Sequence, residues 1–205
     1  MNVYIESNFV LEQALEQEQS ESCERLIGIA AAGSVRLIIP AFSLVEPHIT
    51  LMHKGNERAR LSAELQRQLS ELGRSRPYRE ASSGFNEILA LLIRSAEGER
   101  VGLERVSEDI LKSAEVIPLD RDIFHQADGI QTALDMSVQD SIVLASVLRH
   151  LGQTKPAESC FLNRNTKDFD DPYVRERLDE FGCKFFGRFD NAIQYIQAQL
   201  RKPAQ

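Results

Sequence analysis

The sequence contains no run of about 18–20 apolar residues, the length that a membrane-spanning helix requires. Its first residues, MNVYIESNFV, lack the basic start and the long apolar stretch of a secretory signal. We therefore expect a cytoplasmic protein that does not cross a membrane.

Cysteine and histidine are scarce, and neither has the spacing of zinc ligands. The chain has three cysteines and four histidines, and an odd number of widely separated cysteines does not build a disulfide framework. We expect reduced, structural thiols at Cys23, Cys160 and Cys183. The sequence also lacks the Gly-x-Ser-x-Gly turn of serine hydrolases and any glycine-rich phosphate loop, so neither enzyme class has support.

Positive charge is in the minority, but it is concentrated in one segment. The net charge of the whole chain is −7, which argues against a general nucleic-acid binder. Residues 54–79 carry seven basic and three acidic side chains, a net charge of +4, so the remainder carries −11. This segment is compatible with a local phosphate contact, and a solvated helix face is the alternative.

Short apolar runs alternate with amphipathic segments along the chain. The runs at residues 3–5, 35–39, 116–119, 160–162 and 184–186 predict strands. The segments between them have helical periodicity. Strands separated by helices predict an α/β fold, with a central, mainly parallel sheet flanked by helices, in a single domain over residues 1–200.

Two amphipathic helices near the middle of the chain predict a helical hairpin inserted into this domain at about residues 54–98. The first covers residues 56–72, and the Gly- and Pro-containing segment 73–77 separates it from the second. The apolar stripe of the first helix packs either inside the domain or against a partner. Its members are Leu61, Leu65, Leu69 and Leu72.

Carboxylate and amide side chains follow several predicted strands or begin a neighbouring helix. Because ligands bind at the carboxyl ends of the strands in open parallel sheets, we expect these side chains to converge. Clustered carboxylates need a counter-charge, which Mg²⁺ or Mn²⁺ supplies through its preference for oxygen ligands. The residues concerned are Glu6, Asn8, Glu46, Asp140, Asn163, Asn165 and Asp168.

The segments that carry these residues resemble the PIN-domain family, which includes RNA-processing nucleases and the ribonuclease toxins of toxin–antitoxin systems. They are YIESN at 4–8, SLVE at 43–46, QDSIVLAS at 139–146 and FLNRNTKDF at 161–169. The resemblance covers the N-terminal part of the chain and roughly residues 115–170. It implies a PIN-like parallel sheet whose clustered acids bind Mg²⁺ or Mn²⁺ and support RNA cleavage.

The resemblance also implies a role for each matching position. Glu6, Glu46 and Asp140 match the first three acids, which hold the metal and carry catalysis. Asn165 falls where many members have the fourth acid, and Asp168 lies just beyond it as a further catalytic candidate. Two supporting residues, Asn8 beside the first acid and Asn163 after the strand at 160–162, complete the set.

Two departures from the family pattern leave two functions open. Glu6 is one methylene longer than the usual aspartate, and Asn165 keeps an oxygen but loses a charge, which Asp168 or Asp171 would restore. The chain is therefore either a metal-dependent endoribonuclease, a toxin of a toxin–antitoxin pair among the options, or a catalytically inactive PIN-like module that binds RNA or a protein. A phosphatase would need an aspartate nucleophile directly after the first strand, where Glu6 is a poor fit.

The expected partners follow from the same resemblance. RNA is the expected ligand, contacted by Arg74, Arg76 and Arg79 of the basic segment. An antitoxin protein and a second copy of the chain are the further candidates.

Overall fold

The computed structural model describes residues 1–201, the side chain of Ser83 excepted. Five strands form one sheet in the order β3-β2-β1-β4-β5, and every neighbouring pair is parallel. This confirms the expected α/β class with a parallel sheet. The strands are β1 (Asn2–Tyr4), β2 (Arg36–Pro40), β3 (Ala114–Ile117), β4 (Ser159–Leu162) and β5 (Cys183–Phe186).

Helices flank the sheet and connect its strands. After β1 the chain moves outwards through β2 and β3, and it then returns to the other side of β1 for β4 and β5. The strand order therefore reverses between β1 and β4, at the centre of the sheet. Within residues 1–201 the helices are α1 (Ser7–Ala14), α2 (Ser20–Ala31), α3 (Phe42–Gly73), α4 (Arg79–Ser83), α5 (Asn86–Ser113), α6 (Arg121–Leu134), α7 (Val138–Thr154), α8 (Thr166–Phe169), α9 (Pro172–Asp179) and α10 (Phe189–Leu200).

The sheet supplies two apolar cores because side chains alternate between its faces. Val3 and Leu37 belong to one core, which α1, α2, α10 and the last turns of α5 cover. Tyr4, Ile38 and Phe161 belong to the other, which α6, α7 and α9 cover. Burial on both faces explains why the strands are short apolar runs rather than alternating ones.

Helices α3 and α5 form an antiparallel pair, which we call the hairpin. They contain 32 and 28 residues, so each is about 40–50 Å long. Gly55 of α3 lies at the contact with α5, where a β-carbon would meet that of Ala96 at an ordinary packing distance of 3.6 Å. Arg58 pairs with Glu99 across the two helices at 2.8 Å. Residues 74–85, between α3 and α5, are called the hairpin tip.

The hairpin is longer than the sequence predicted. The first helix of the hairpin was predicted at residues 56–72, but a single helix runs from Phe42 to Gly73. Pro47 lies near the start of α3, and Gly55 is accommodated at the contact with α5, so neither residue ends the helix. The prediction also ended the insertion at about residue 98, whereas α5 continues to Ser113 and reaches the core.

The base of the hairpin is docked closely on α1. A β-carbon built on Gly102 of α5 would collide with the carbonyl oxygen of Ala14. Leu103, Val106 and Ile110, on the turns that follow, are buried in the core that also contains Val3. Within residues 1–201, no helix combines the length and the apolar character needed to cross a membrane.

Candidate metal site

The expected acidic residues lie at the carboxyl edge of the sheet, on both sides of the point where the strand order reverses. Glu6 follows β1, and Glu46 is in the second turn of α3, just after β2. Asp140 is in the first turn of α7. Open parallel sheets form ligand sites at this topological position. We call Glu6, Glu46 and Asp140 the acidic cluster.

Glu6 is the most deeply buried acid of the cluster, with 4 % of its surface exposed. It caps α1, where its Oε2 accepts a hydrogen bond of 2.9 Å from the backbone N–H of Asn8. Its other oxygen, Oε1, is buried without a hydrogen-bond partner among the residues described. Burial, with added repulsion from Glu46 and Asp140, raises the pKa of Glu6 to about 8.

Glu46 lies within electrostatic reach of the other two acids. Its Oε2 accepts a short hydrogen bond from the hydroxyl of Ser7, the first residue of α1. Partial burial raises the pKa of Glu46, and the neighbouring charge of Asp140 raises it further, although the bond from Ser7 opposes both. Glu46 is therefore coupled to α1 through Ser7 and to α7 through Asp140.

Asp140 is held in place by the N-terminus of its own helix. The Ser137 hydroxyl caps α7 by accepting a hydrogen bond of 3.1 Å from the Asp140 backbone N–H. The same hydroxyl donates to Oδ2 of Asp140 at 2.7 Å. A carboxylate in the first turn also interacts favourably with the helix dipole. The Ser137 cap therefore orients this acid from within its own helix terminus.

Asn165 connects two carboxylates instead of replacing one. Its side-chain Nδ2 donates to Oδ2 of Asp168 at 2.8 Å and to Oδ1 of Asp140 at 3.3 Å. An aspartate at this position has no N–H to donate and would repel both neighbours. The asparagine therefore brings Asp168 next to Asp140, which places a fourth carboxylate beside the cluster.

The supporting residues Asn8 and Asn163 tie the loops after β1 and β4 together. Asn163 is buried, and its Oδ1 accepts from the backbone N–H of Asn165 at 2.7 Å. The same oxygen accepts from Nδ2 of Asn8 at 3.4 Å. These bonds span the two central strands at the site and position Asn165.

A buried ion pair beside the site was not expected from the sequence. Arg164 lies between Asn163 and Asn165, and its guanidinium pairs closely with Glu12 of α1. Glu12 is 1 % exposed and also accepts from the backbone N–H of Gln19 at 2.6 Å. The pair anchors the loop after β4 to α1, and its two residues are 152 positions apart in the chain.

Other candidates lie elsewhere or have a different structural role. The carboxylate of Asp171 caps α9 by accepting a hydrogen bond of 2.8 Å from the backbone N–H of Tyr173. Its position is therefore explained by capping. Arg74, Arg76 and Arg79 are in the hairpin tip, and residue 74 is 28 positions after Glu46 along α3. At about 1.5 Å per residue, the tip is roughly 40 Å from the acidic cluster.

The donor set of the cluster fits a hard divalent cation. All its side-chain ligands are oxygens, which suit Mg²⁺ and Mn²⁺. Oε1 of Glu6 is buried and lacks a partner, and a cation would supply one. Across residues 1–201, no three acidic, histidine or cysteine side chains form a group arranged to hold a metal ion.

The fold and the site define the chain as an α/β protein with an acidic cluster at the carboxyl edge of a parallel sheet. Comparison with protein-family models, with curated proteins and with solved structures returned no match. The relation to the PIN-domain family therefore rests on the resemblance of the four segments.

Proposed function

We propose that this protein is a metal-dependent endoribonuclease of PIN-domain type, which uses Mg²⁺ or Mn²⁺ to hydrolyse RNA phosphodiester bonds. The observation that carries the proposal is the burial of the Glu6 carboxyl group, whose Oε1 has no hydrogen-bond partner among the described residues. A buried carboxyl oxygen without a partner, coupled electrostatically to two further carboxylates, is stabilised by a proton or by a cation, and a cation also neutralises the other two acids.

In this proposal each acid has a distinct role. Glu6, Glu46 and Asp140 hold the metal, with Asn165 close enough to contribute an oxygen if its amide turns. A bound divalent cation at such a site activates water and stabilises negative charge on the phosphodiester. Asp168, which Asn165 holds beside Asp140, orients the attacking water.

Proton release accompanies metal binding in this scheme. A carboxyl group with a pKa of about 8 is mostly protonated at neutral pH, and only its ionised form is a strong metal ligand. Glu6 therefore gives up its proton as the site fills. The longer glutamate side chain reaches into the cluster from its capping position at the start of α1.

The direct test is cleavage of single-stranded RNA in Mn²⁺ or Mg²⁺ by the wild type and by Asp140→Asn. We expect wild-type cleavage that EDTA abolishes, and a loss of at least about 100-fold in the variant, as for other groups that stabilise a transition-state charge. Asp109→Asn, the same chemical change at an exposed position of α5, is the matched control. Activity that resists EDTA and is equal in the wild type and Asp140→Asn would refute the proposal.

A second candidate, a catalytically inactive PIN-like module, is favoured by the hydrogen bonds of Asn165. Its Nδ2 donates to two carboxylates, which relieves part of their repulsion without any metal. Calorimetric titration with Mn²⁺ distinguishes the two. Absence of binding at millimolar Mn²⁺ would favour the inactive module.

A further inference from the structure

The hairpin tip combines exposed aromatic rings with a surplus of positive charge. It contains Arg74, Arg76 and Arg79 and a single acidic residue. Tyr78 is 55 % exposed and Phe85 is 46 % exposed, although aromatic side chains usually bury most of their surface. Two exposed rings among three arginines form a surface that suits bases and phosphates.

The positive groups of the tip are available to a ligand. Within the described part of the chain, the side chains of Arg74 and Arg76 form no ion pair. Arg79 is exposed and donates from Nε to the carbonyl oxygen of Gly73 at 3.4 Å. The shaft of the hairpin is the part of α3 and α5 between its base and its tip. There, by contrast, Arg67 is paired with Glu64 at 2.7 Å.

The position of the tip explains how a protein with a net negative charge can bind a negatively charged substrate. The chain outside residues 54–79 carries a net charge of −11, which repels RNA. Charges are screened over about 8 Å at physiological ionic strength. At roughly 40 Å from the acidic cluster along α3, the tip lies outside that repulsion.

We propose that the hairpin tip binds unpaired nucleotides of the RNA substrate, with Tyr78 and Phe85 stacked on bases and Arg74 and Arg76 in contact with phosphates. The inference rests on the proposed function in taking RNA as the ligand. An RNA bound at the tip stays attached to the protein while another part of the same strand reaches the acidic cluster. This attachment raises the local concentration of RNA at the cluster.

The test is fluorescence anisotropy in EDTA with an unstructured RNA of about 20 nucleotides, longer than a single-strand site of about 4–16 nucleotides. We expect Tyr78→Ala with Phe85→Ala to weaken binding by at least about tenfold, because neither ring remains for a base to stack on. Arg74→Gln with Arg76→Gln should reduce the salt dependence, with the slope of log K falling by about 0.7 for each phosphate that the protein no longer neutralises. Duplex RNA of equal length should bind more weakly than the single strand.

Two variants control for position and charge. Leu61→Ala removes an exposed apolar side chain from the shaft of the hairpin, and Arg25→Gln removes an exposed charge from α2. Both should bind RNA like the wild type. Wild-type affinity in the Tyr78/Phe85 variant, or equal affinity for duplex and single strand, would overturn the inference. A change in sedimentation with unchanged RNA affinity would also overturn it and would identify the tip as a contact between two copies of the chain.

The same assay separates this inference from the proposed function. The binding assay contains EDTA, so it measures RNA affinity without metal-dependent cleavage and independently of the proposed catalysis. RNA binding that depends on the tip, in a protein without metal-dependent cleavage, would refute the nuclease proposal and support the tip as a binding site.

Discussion

The α/β body and the hairpin use apolar side chains in opposite ways. In the body, made of the sheet with α1, α2 and α6–α10, Val3, Ile39 and Phe161 are completely buried. In the hairpin, Leu61 and Ile88 each have 51 % of their surface exposed. The body therefore has a core that fixes positions, whereas the hairpin beyond its docked base presents apolar side chains to solvent.

Charged side chains also differ between the body and the hairpin. In the body the buried acids Glu6 and Glu12 lie at or beside the carboxyl edge of the sheet, where a rigid frame keeps them close despite the cost of burial. In the hairpin the charges are mostly on the surface and mostly basic between residues 54 and 79. Under our two proposals, the acidic cluster performs the chemistry and the hairpin tip contacts the RNA, so the two roles lie at opposite ends of α3.

The largest expected difference between the two regions is in packing. Phe161→Ala should destabilise the protein by about 4 kcal/mol, because it leaves a cavity in the core. Ile88→Ala, a large-to-small change in the hairpin, should change the free energy of unfolding by less than about 0.5 kcal/mol. Urea unfolding of both variants measures the contrast. Similar losses would show that Ile88 is covered in solution.

The second expected effect is a dependence of stability on pH that comes from Glu6. Its pKa is about 8 in the folded protein and 4.5 in the unfolded chain, so between these values the folded state binds more protons. Its contribution to stability is fully present below the unfolded pKa and is lost as pH rises through the folded pKa. We expect the free energy of unfolding to fall by about 3 kcal/mol between about pH 5 and pH 7.5.

Glu6→Gln is the matched variant, because it keeps the shape and removes the titration. Its stability should fall less with pH over the same range, although Glu46, whose pKa is also raised, still titrates, and it should exceed that of the wild type at the alkaline end. Urea unfolding across the pH series in EDTA measures both curves. Parallel curves would mean that Glu6 titrates normally.

A third, smaller effect distinguishes the buried ion pair from a surface pair. Arg164→Ala leaves Glu12 buried without its charged partner and should cost about 2 kcal/mol, less than for a fully enclosed pair because Arg164 itself is one-third exposed. Arg188→Ala removes an exposed pair with Asp190 and should cost less than about 1 kcal/mol. Equal unfolding midpoints for the two variants would contradict the anchoring role of Arg164.

The smallest predicted effect tests where the hairpin joins the body. Gly102→Ala places a methyl group against the Ala14 carbonyl and should destabilise the protein by at least about 1 kcal/mol. Gly98→Ala, one turn earlier on α5, meets no atom within 4 Å and should stabilise the helix by about 0.5–1 kcal/mol. Thermal unfolding of the two variants gives the sign of each effect, and a stabilised Gly102→Ala would show that the base is not docked.

Local patterns predicted the sheet well, because its strands are apolar runs bounded by polar or turn residues. The runs at residues 3–5 and 35–39 became β1 and β2, and the fold class followed from the alternation of strands and helices. The continuity of α3 was not predicted, since Pro47 and Gly55 are ordinarily helix-disrupting. Helix α9, which begins at Pro172 after the Asp171 cap, was also missed.

Part of the candidate site was also predictable from local sequence, and part of it was not. The order of strands and acids was enough to predict that Glu6, Glu46 and Asp140 lie at the same edge, since parallel strands end there. The burial of Glu6 and the ion pair of Glu12 with Arg164 depend on packing between distant segments. A single sequence carries no local signal for such contacts.

The measurement that tests the central claim most directly is a calorimetric titration of the metal-free protein with Mn²⁺. The wild type should bind one equivalent or more, with release of protons at neutral pH as Glu6 ionises. Asp140→Asn should lose that binding, and Asp109→Asn should keep it. No heat of binding at millimolar Mn²⁺, or identical isotherms for the wild type and Asp140→Asn, would contradict a metal site in the acidic cluster.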